Sequence, residues 1–371
     1  MHDCPESDYP FGGEYHDAVT RSELVLKLLM HHRTGAIAAA PTTSLPELIG
    51  GTRNWDYRFS WIRDAAFTIQ ALFGLQGETK LTEETLNHLE GYRGSAPVRI
   101  GNAARSQLQL DIFGELVLAL YETSHYGETI TETTWETVRE VIEYVCTLWH
   151  RRGAGMWEVR SEPEHFVHSK VMCWVALDRG IKMATDRGFD APLDHWREVR
   201  SEIRGVVLER GFNESINSFV RSFEADELLD ASALRIPLVG FLPFDDPRVQ
   251  GTIDAVRERL TTERGLVQRY EGEDGLPGGE GAFILCSFWL VDCLALSGDV
   301  EEAETLFENI LELASPLGLL SEEVVPETGE LLENYPQAFN HLGPINSAIY
   351  ICTAQAEDKV GIYYPAVDAQ M

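Results

Sequence analysis

Helical periodicity runs through almost the whole of this 371-residue chain: apolar residues recur every three to four positions in about twelve segments, and no strand-rich block interrupts them. The segments fall near 17–33, 63–76, 81–92, 105–126, 131–151, 165–187, 191–209, 225–234, 248–264, 281–297, 300–314 and 341–356. Each such helix carries an apolar stripe that it must bury against a neighbour. Twelve of them joined as six antiparallel hairpins do so by closing into a toroid of inner and outer helices, an all-α counterpart of the closed barrel. A solenoid would bury the same stripes, but no sequence repeats at a fixed period. Start signals agree with several helices: Ser60 or Asp64 ahead of AAFTIQALFGL, Thr82 followed by Glu83 and Glu84, and Asp246-Pro247 ahead of the 248–264 run. With no low-complexity linker inside it, 17–371 reads as one domain, preceded by a head at 1–16 that need not be ordered.

In an up-down array, every connection from an odd-numbered helix to the next even one emerges on the same rim. The unusual loops fall there: NWDYRFSW between helices 1 and 2, GYRGSAPVRIGN between 3 and 4, GAGMWEVRSEPEHF between 5 and 6, GFNESINSFVRSF between 7 and 8, VQRYEGEDGLPGGEG between 9 and 10, and LLSEEVVPETGELLENYPQAFNHLG between 11 and 12. The even-to-odd links, such as LQGETKL, YGETI and SGDV, are plain turns. Long loops gathered on one rim make a ligand site at the mouth of the toroid.

Sixty acidic residues against 30 basic ones give a formal net charge of −30, which argues against nucleic acid as a partner. The acids are spread along helical segments instead of forming a tail, so the domain folds against its own repulsion. Concentrated salt relieves that repulsion, since the screening length falls to about 3 Å near 1 M. The charge therefore points to a salt-loving host. No apolar run is long enough to span a bilayer and no positively charged leader precedes an apolar stretch, so the expectation is a cytoplasmic protein without a membrane partner. The six Cys lie far apart, most in apolar helical stretches, and read as buried thiols; neither they nor the 11 His show metal-ligand spacing.

The run Asn54–Asp64, NWDYRFSWIRD, concentrates two Trp, two other aromatics, two Arg and two Asp in eleven residues. Aromatic faces cover the C–H faces of a pyranose, while carboxylates and guanidinium groups fix its hydroxyls. Two further acids stand out on the same rim. Glu158 follows Trp157 in a Gly-bounded loop, where an indole can exclude water from the carboxyl as a general acid requires, and Glu322 sits in SEE at the start of a long irregular loop. Hydrolysis of a glycosidic bond with inversion uses such a pair, roughly 6.5–9.5 Å apart.

These stretches also carry a resemblance. TGAIAAAPTTSLPELIGGTRNWDYRFSWIRDAAF, MWEVR with HFVHSKVMCWVALDRGI, PLVGFLPFDDPRV, GEGAFILCSFWLVDCL and SEEVVPETGELLENYPQAFNHLGPINSAIY, in that order from about Thr34 to Tyr350, resemble glycoside hydrolase family 15, the glucoamylases, glucodextranases and trehalases. The resemblance implies an (α/α)6 barrel, in agreement with the twelve-helix count. It implies that Glu158 is the general acid and Glu322 the general base, with Glu323 a rival for the second role. Arg63 and Asp64 would hydrogen-bond a terminal glucose, Arg269 of QRY would add another guanidinium, and Tyr57 and Trp61 would wall the pocket. Trp157 would flank the acid, although it and Trp61 also suit the core; Glu280 of GGEG would bind sugar or cap the next helix. No metal or organic cofactor is implied.

The implied activity is inverting, exo-acting hydrolysis that releases β-glucose from non-reducing ends of α-glucans or oligosaccharides. Glucoamylase-like α-1,4 cleavage leads, trehalose hydrolysis follows, and dextran-type α-1,6 cleavage comes third. A non-catalytic glucan-binding protein is the alternative of a different class. Three departures from the family pattern stand out: the chain begins almost at the first barrel helix, so the β-sandwich that precedes the barrel in many prokaryotic relatives is either absent or cut off by a truncated gene start, with the flank it covers then open to self-association; Glu333 stands where relatives often have Gly; and VVP stands where many have an acidic residue before Pro.

Overall fold

The computed structural model describes residues 15–61, 72–73, 75–76, 78, 80–125 and 130–355. Ten α-helices form among them: α1 (His16–Leu29), α2 (Asp111–His125), α3 (Glu132–Leu148), α4 (Val167–Arg187), α5 (Leu193–Arg210), α6 (Arg235–Leu238), α7 (Pro247–Arg259), α8 (Ile284–Ser297), α9 (Val300–Leu311) and α10 (Ala338–Gln355). Inner and outer helices of an (α/α)6 barrel separate by burial. In α4 every residue from Val167 to Ile181 is buried, and in α8 every residue from Ile284 to Ala295, so these helices meet protein on all sides. By contrast α3 buries one stripe, Trp135, Val138, Ile142 and Val145, and α9 buries Ala303, Leu306, Phe307 and Ile310, while their acidic faces meet solvent. Each large side chain in those stripes contributes about 1.5–3 kcal/mol by leaving water. Asp246 starts α7 as its sequence suggests, its side chain accepting from the Arg248 N–H with Pro247 at the first helical position. Among the described residues no helix is long and apolar enough to cross a membrane.

The inner helices α2 and α4 touch backbone to backbone. A Cβ placed on Gly114 of α2 would lie 2.2 Å from the Met172 carbonyl oxygen of α4, an atom that no rotamer change can move aside. Gly114→Ala is expected to cost about 1–3 kcal/mol by forcing these helices apart. A urea melt of the variant checks this, and an unchanged midpoint would contradict it.

Two expected helices differ, and a third lies mostly outside the described residues. The segment 81–92 is extended: β5 (Glu84–Thr85) pairs antiparallel with β6 (Arg99–Ile100), and a short turn follows at Tyr92–Gly94. The leucines that suggested a helix there find no partner stripe, since Leu81 is buried but Leu89 is 44% exposed. Glu83, which resembled a first-turn cap, instead accepts from the Ala103 N–H and faces Arg99 and Arg160. The segment 225–234 is loop for most of its length; Asp230 caps the Ser232 N–H and starts a short 3-10 turn, Ala231–Leu234, that runs into α6. Most of 63–76 lies outside the described residues, as do residues 1–14 of the head, but Leu72–Phe73 forms a strand, β4, against β3 (Ser60–Trp61).

The other strands also belong to loops. β1 (Thr43–Pro46) pairs with β2 (Asn54–Asp56), β7 (Phe212–Asn213) with β8 (Ser218–Phe219), and β9 (Ala282–Phe283), β10 (Glu323–Val324) and β11 (Leu331–Leu332) form one antiparallel sheet. These short ladders tie together loops that lie far apart in sequence.

Candidate active site

The ties converge on one pocket, which brings together Tyr57, Trp61, Trp157, Glu158, Arg269 and Glu322, with Gln337, Phe283 and Phe339 completing its wall. Tyr57 and Trp61 arrive on the loop from β2 to β3, whose backbone is held by Ala39 and Ala40: the Ala40 N–H donates to the Tyr57 carbonyl at 3.0 Å and the Ala39 N–H to that of Phe59 at 2.9 Å. Glu322 immediately precedes β10 and its carbonyl accepts from the Ile284 N–H at 3.1 Å, which ties it to the start of α8. Glu158 ends a tight turn in the left-handed region, at φ +58°, a conformation that a non-glycine residue adopts at a cost of about 1–2 kcal/mol. Arg63 and Asp64 lie outside the described residues.

Among the described residues, neutral side chains donate to both glutamates. Oε1 of Glu158 accepts from Trp61 Nε1 at 2.8 Å and from Gln109 Nε2 at 3.1 Å. Oε2 of Glu322 accepts from the Tyr57 hydroxyl at 2.7 Å, and Gln337 Nε2 lies 3.5 Å from Oε1. Burial, with the Glu322 charge beside it, holds the Tyr57 hydroxyl well above its ordinary pKa, so it stays a donor. The indole that touches Glu158 is therefore that of Trp61. Trp157 points its N–H at Asp230, 2.9 and 3.0 Å from the two carboxylate oxygens, and sets its ring edge-on to Phe283.

Arg269 lines the pocket but is not a lone sugar-binding cation. Its guanidinium pairs with Glu47 at 3.2 Å, with Glu323 at 3.2 Å and with Glu280, while Arg53 meets Glu47, Asp274 and Glu280 from the other side. Glu280 thus serves the ion network behind the pocket and does not line it. Carboxylate oxygens of Glu47, Glu280 and Glu323 come within 4.8 Å of one another, and the guanidinium groups meet their charge. Burial pushes Glu47 above the usual carboxylate range and Glu323 well above it, with Arg269 pulling both back. Glu323, fully buried and also accepting from the Gly281 N–H, lies against this network while Glu322 lines the cavity.

Glu333 is buried with φ +64°, the backbone that explains why glycine suits this position. Its Oε2 accepts from the Asn334 N–H, and burial, with Glu322 nearby, raises its carboxyl well above the ordinary range. Gln109, Gln337, Glu47, Arg53 and Asp230 were not apparent from sequence. Uncharged amides carry no spacing signature, and Glu47 and Arg53 meet Arg269 only after the loops fold.

A family model described as glycosyl hydrolases family 15 matches residues 13–87 and 74–349. The two matches overlap at residues 74–87. The chain is 43% identical to a protein named trehalase from Mycolicibacterium smegmatis, over 93% of this chain and 57% of that one, and 40% identical to a trehalase from Thermoplasma volcanium, over 92% and 59%. It thus spans a little over half the length of these relatives. A bacterial glucoamylase solved in complex with acarbose superimposes with a TM-score of 0.70 at 14% identity, over 91% of this chain and 56% of that one, which speaks to the fold.

Proposed function

Since the chain belongs to glycosyl hydrolases family 15, we propose that it hydrolyses α,α-trehalose with inversion, Glu158 acting as general acid and Glu322 as general base. The observation that carries the reading is that both carboxyls face one pocket while Glu323, the rival base, is committed to Arg269. Trehalose takes precedence over α-1,4 glucans, the leading expectation from sequence, because relatives at 40–43% identity bear the name trehalase. Dextran-type cleavage has no such support.

In its acid form Glu158 carries one proton, with Oε1 accepting from the Trp61 and Gln109 N–H groups. That proton passes to the glycosidic oxygen as its bond to C1 breaks. Water attacks C1 from the opposite face and gives its proton to Glu322, whose Oε2 is fixed by Tyr57. One glucose forms as the β-anomer and the other leaves as the α-anomer. Tyr57 and Trp61 supply apolar wall for the sugar, and Arg63 and Asp64 take its hydroxyls. The net charge of −30 favours a salt-rich cytoplasm as the place of work.

Proton NMR of the full chain with trehalose, maltose and isomaltose, in dilute buffer and in molar KCl, tests this. Trehalose should be consumed fastest and give equal α- and β-glucose in the first minutes. Faster hydrolysis of maltose would restore the glucoamylase reading, and binding without hydrolysis would favour a glucan-binding protein.

A further inference from the structure

Two amide side chains hold each candidate catalytic glutamate, and the two arrangements match. On the acid side, Gln107 Nε2 donates to the carbonyls of Glu158 at 3.2 Å and Val159 at 3.0 Å, while Gln109, two residues along the same extended segment, donates to the Glu158 carboxyl at 3.1 Å. On the base side, Asn340 Nδ2 donates to the carbonyls of Ser321 and Glu322, the latter at 2.9 Å, while Gln337 reaches the Glu322 carboxyl. Gln337 cannot be turned round, since its Oε1 accepts from the Asn340 N–H at 2.7 Å. The first turn of α10 adds a third contact to this segment: His341 Nε2 accepts from the Leu320 N–H at 3.1 Å, and burial lowers its pKa to about 4, keeping the ring neutral. Among the described residues, the oxygen ends of Gln107 and Asn340 are buried without a hydrogen-bond partner. The fold bears that cost and gains the two N–H bonds each amide makes to successive carbonyls.

We propose that Gln107–Gln109 and Gln337–Asn340 are positioning pairs: one amide of each pair fixes the backbone at its glutamate, and the other orients the carboxyl. Amides do not titrate, so each pair keeps its grip as Glu158 loses a proton and Glu322 gains one in a turnover. An amide donor favours the ionised carboxylate only modestly, whereas a charged partner would weight that state far more strongly. On the acid side the grip also maintains the left-handed backbone of Glu158. The inference rests on the roles given above to Glu158 and Glu322.

The pH profile of kcat separates the two members of a pair. A donor to a carboxyl favours its ionised form, so Gln109→Met should move the alkaline limb of kcat up by about half a unit or more. Gln337→Met should move the acid limb up by less, given its longer contact. Gln107→Met should leave both limbs in place and lower kcat about ten- to a hundredfold with little change in KM, because the acid is misplaced and not retuned. If circular dichroism shows Gln109→Met unfolded, the isosteric Gln109→Glu serves instead: a like charge beside Glu158 should move the alkaline limb further upward. Folded Gln109 variants with an unmoved alkaline limb, or Gln107→Met with wild-type kcat, would overturn the proposal. Full activity of Glu158→Gln would overturn the role assignment itself. An inactive Glu158→Gln beside an unmoved Gln109→Met profile would defeat this inference alone.

Discussion

Glu158→Gln is expected to lower kcat on trehalose by about 10²–10⁴-fold while leaving the melting temperature close to that of the wild type. Glutamine keeps the shape of the side chain and an oxygen to accept from Trp61 and Gln109, but it has no proton to give. The departing sugar alkoxide is a poor leaving group without protonation, so the loss falls on bond cleavage. α-Glucosyl fluoride, whose leaving group needs little help, separates the two glutamates. Glu158→Gln should retain much of its activity on the fluoride, whereas Glu322→Gln, which cannot take a proton from water, should lose both substrates. The same deficit on both substrates in Glu158→Gln would argue that this residue is not the acid.

The second large effect concerns stability. Arg269→Met leaves the carboxyls of Glu47, Glu280 and Glu323 without their shared partner in a buried site, and loss of one side of a buried ion pair costs about 3–5 kcal/mol. The deficit should depend on pH, with a defined sign. Glu47 and Glu323 already have folded pKa values above the ordinary carboxylate value, so their contribution is fully present below that value and is lost as pH rises through the folded pKa. Without Arg269 those values rise further and the loss deepens. Urea melts should therefore show a larger deficit at pH 8 than at pH 5. Equal deficits would mean that the network stabilises by packing and not by charge.

Much of the barrel was legible because inner and outer helices write different patterns. α3 and α9 show a single stripe, while α8 is apolar on every face, interrupted before its last residue by Ser287 and Asp292 alone. The pattern failed at 81–92, where leucines at helical spacing follow a capping signal but have no neighbour to bury them. At the site, charged and aromatic residues were readable as chemistry, and Tyr57, Trp61, Trp157, Glu158, Arg269 and Glu322 do share a pocket. The choice between Glu322 and Glu323 was not readable while the segment passed for irregular loop. Glu322, at the bend just before β10, lines the cavity, while Glu323, the first residue of that strand, turns its carboxyl to Arg269. Gln107, Gln109, Gln337 and Asn340 act through geometry that only the closed rim creates. The partnership of Trp157 with Asp230 likewise joins residues 73 positions apart.

The division between a helical wall and a rim sewn together by ladders of two to four residues has an evolutionary corollary. Each ladder begins and ends within the loops, so a loop can lengthen or change its tip without disturbing the register of any helix. Loop tips can then change what the pocket accepts while the helical wall keeps its registers, so fold and substrate preference need not change together.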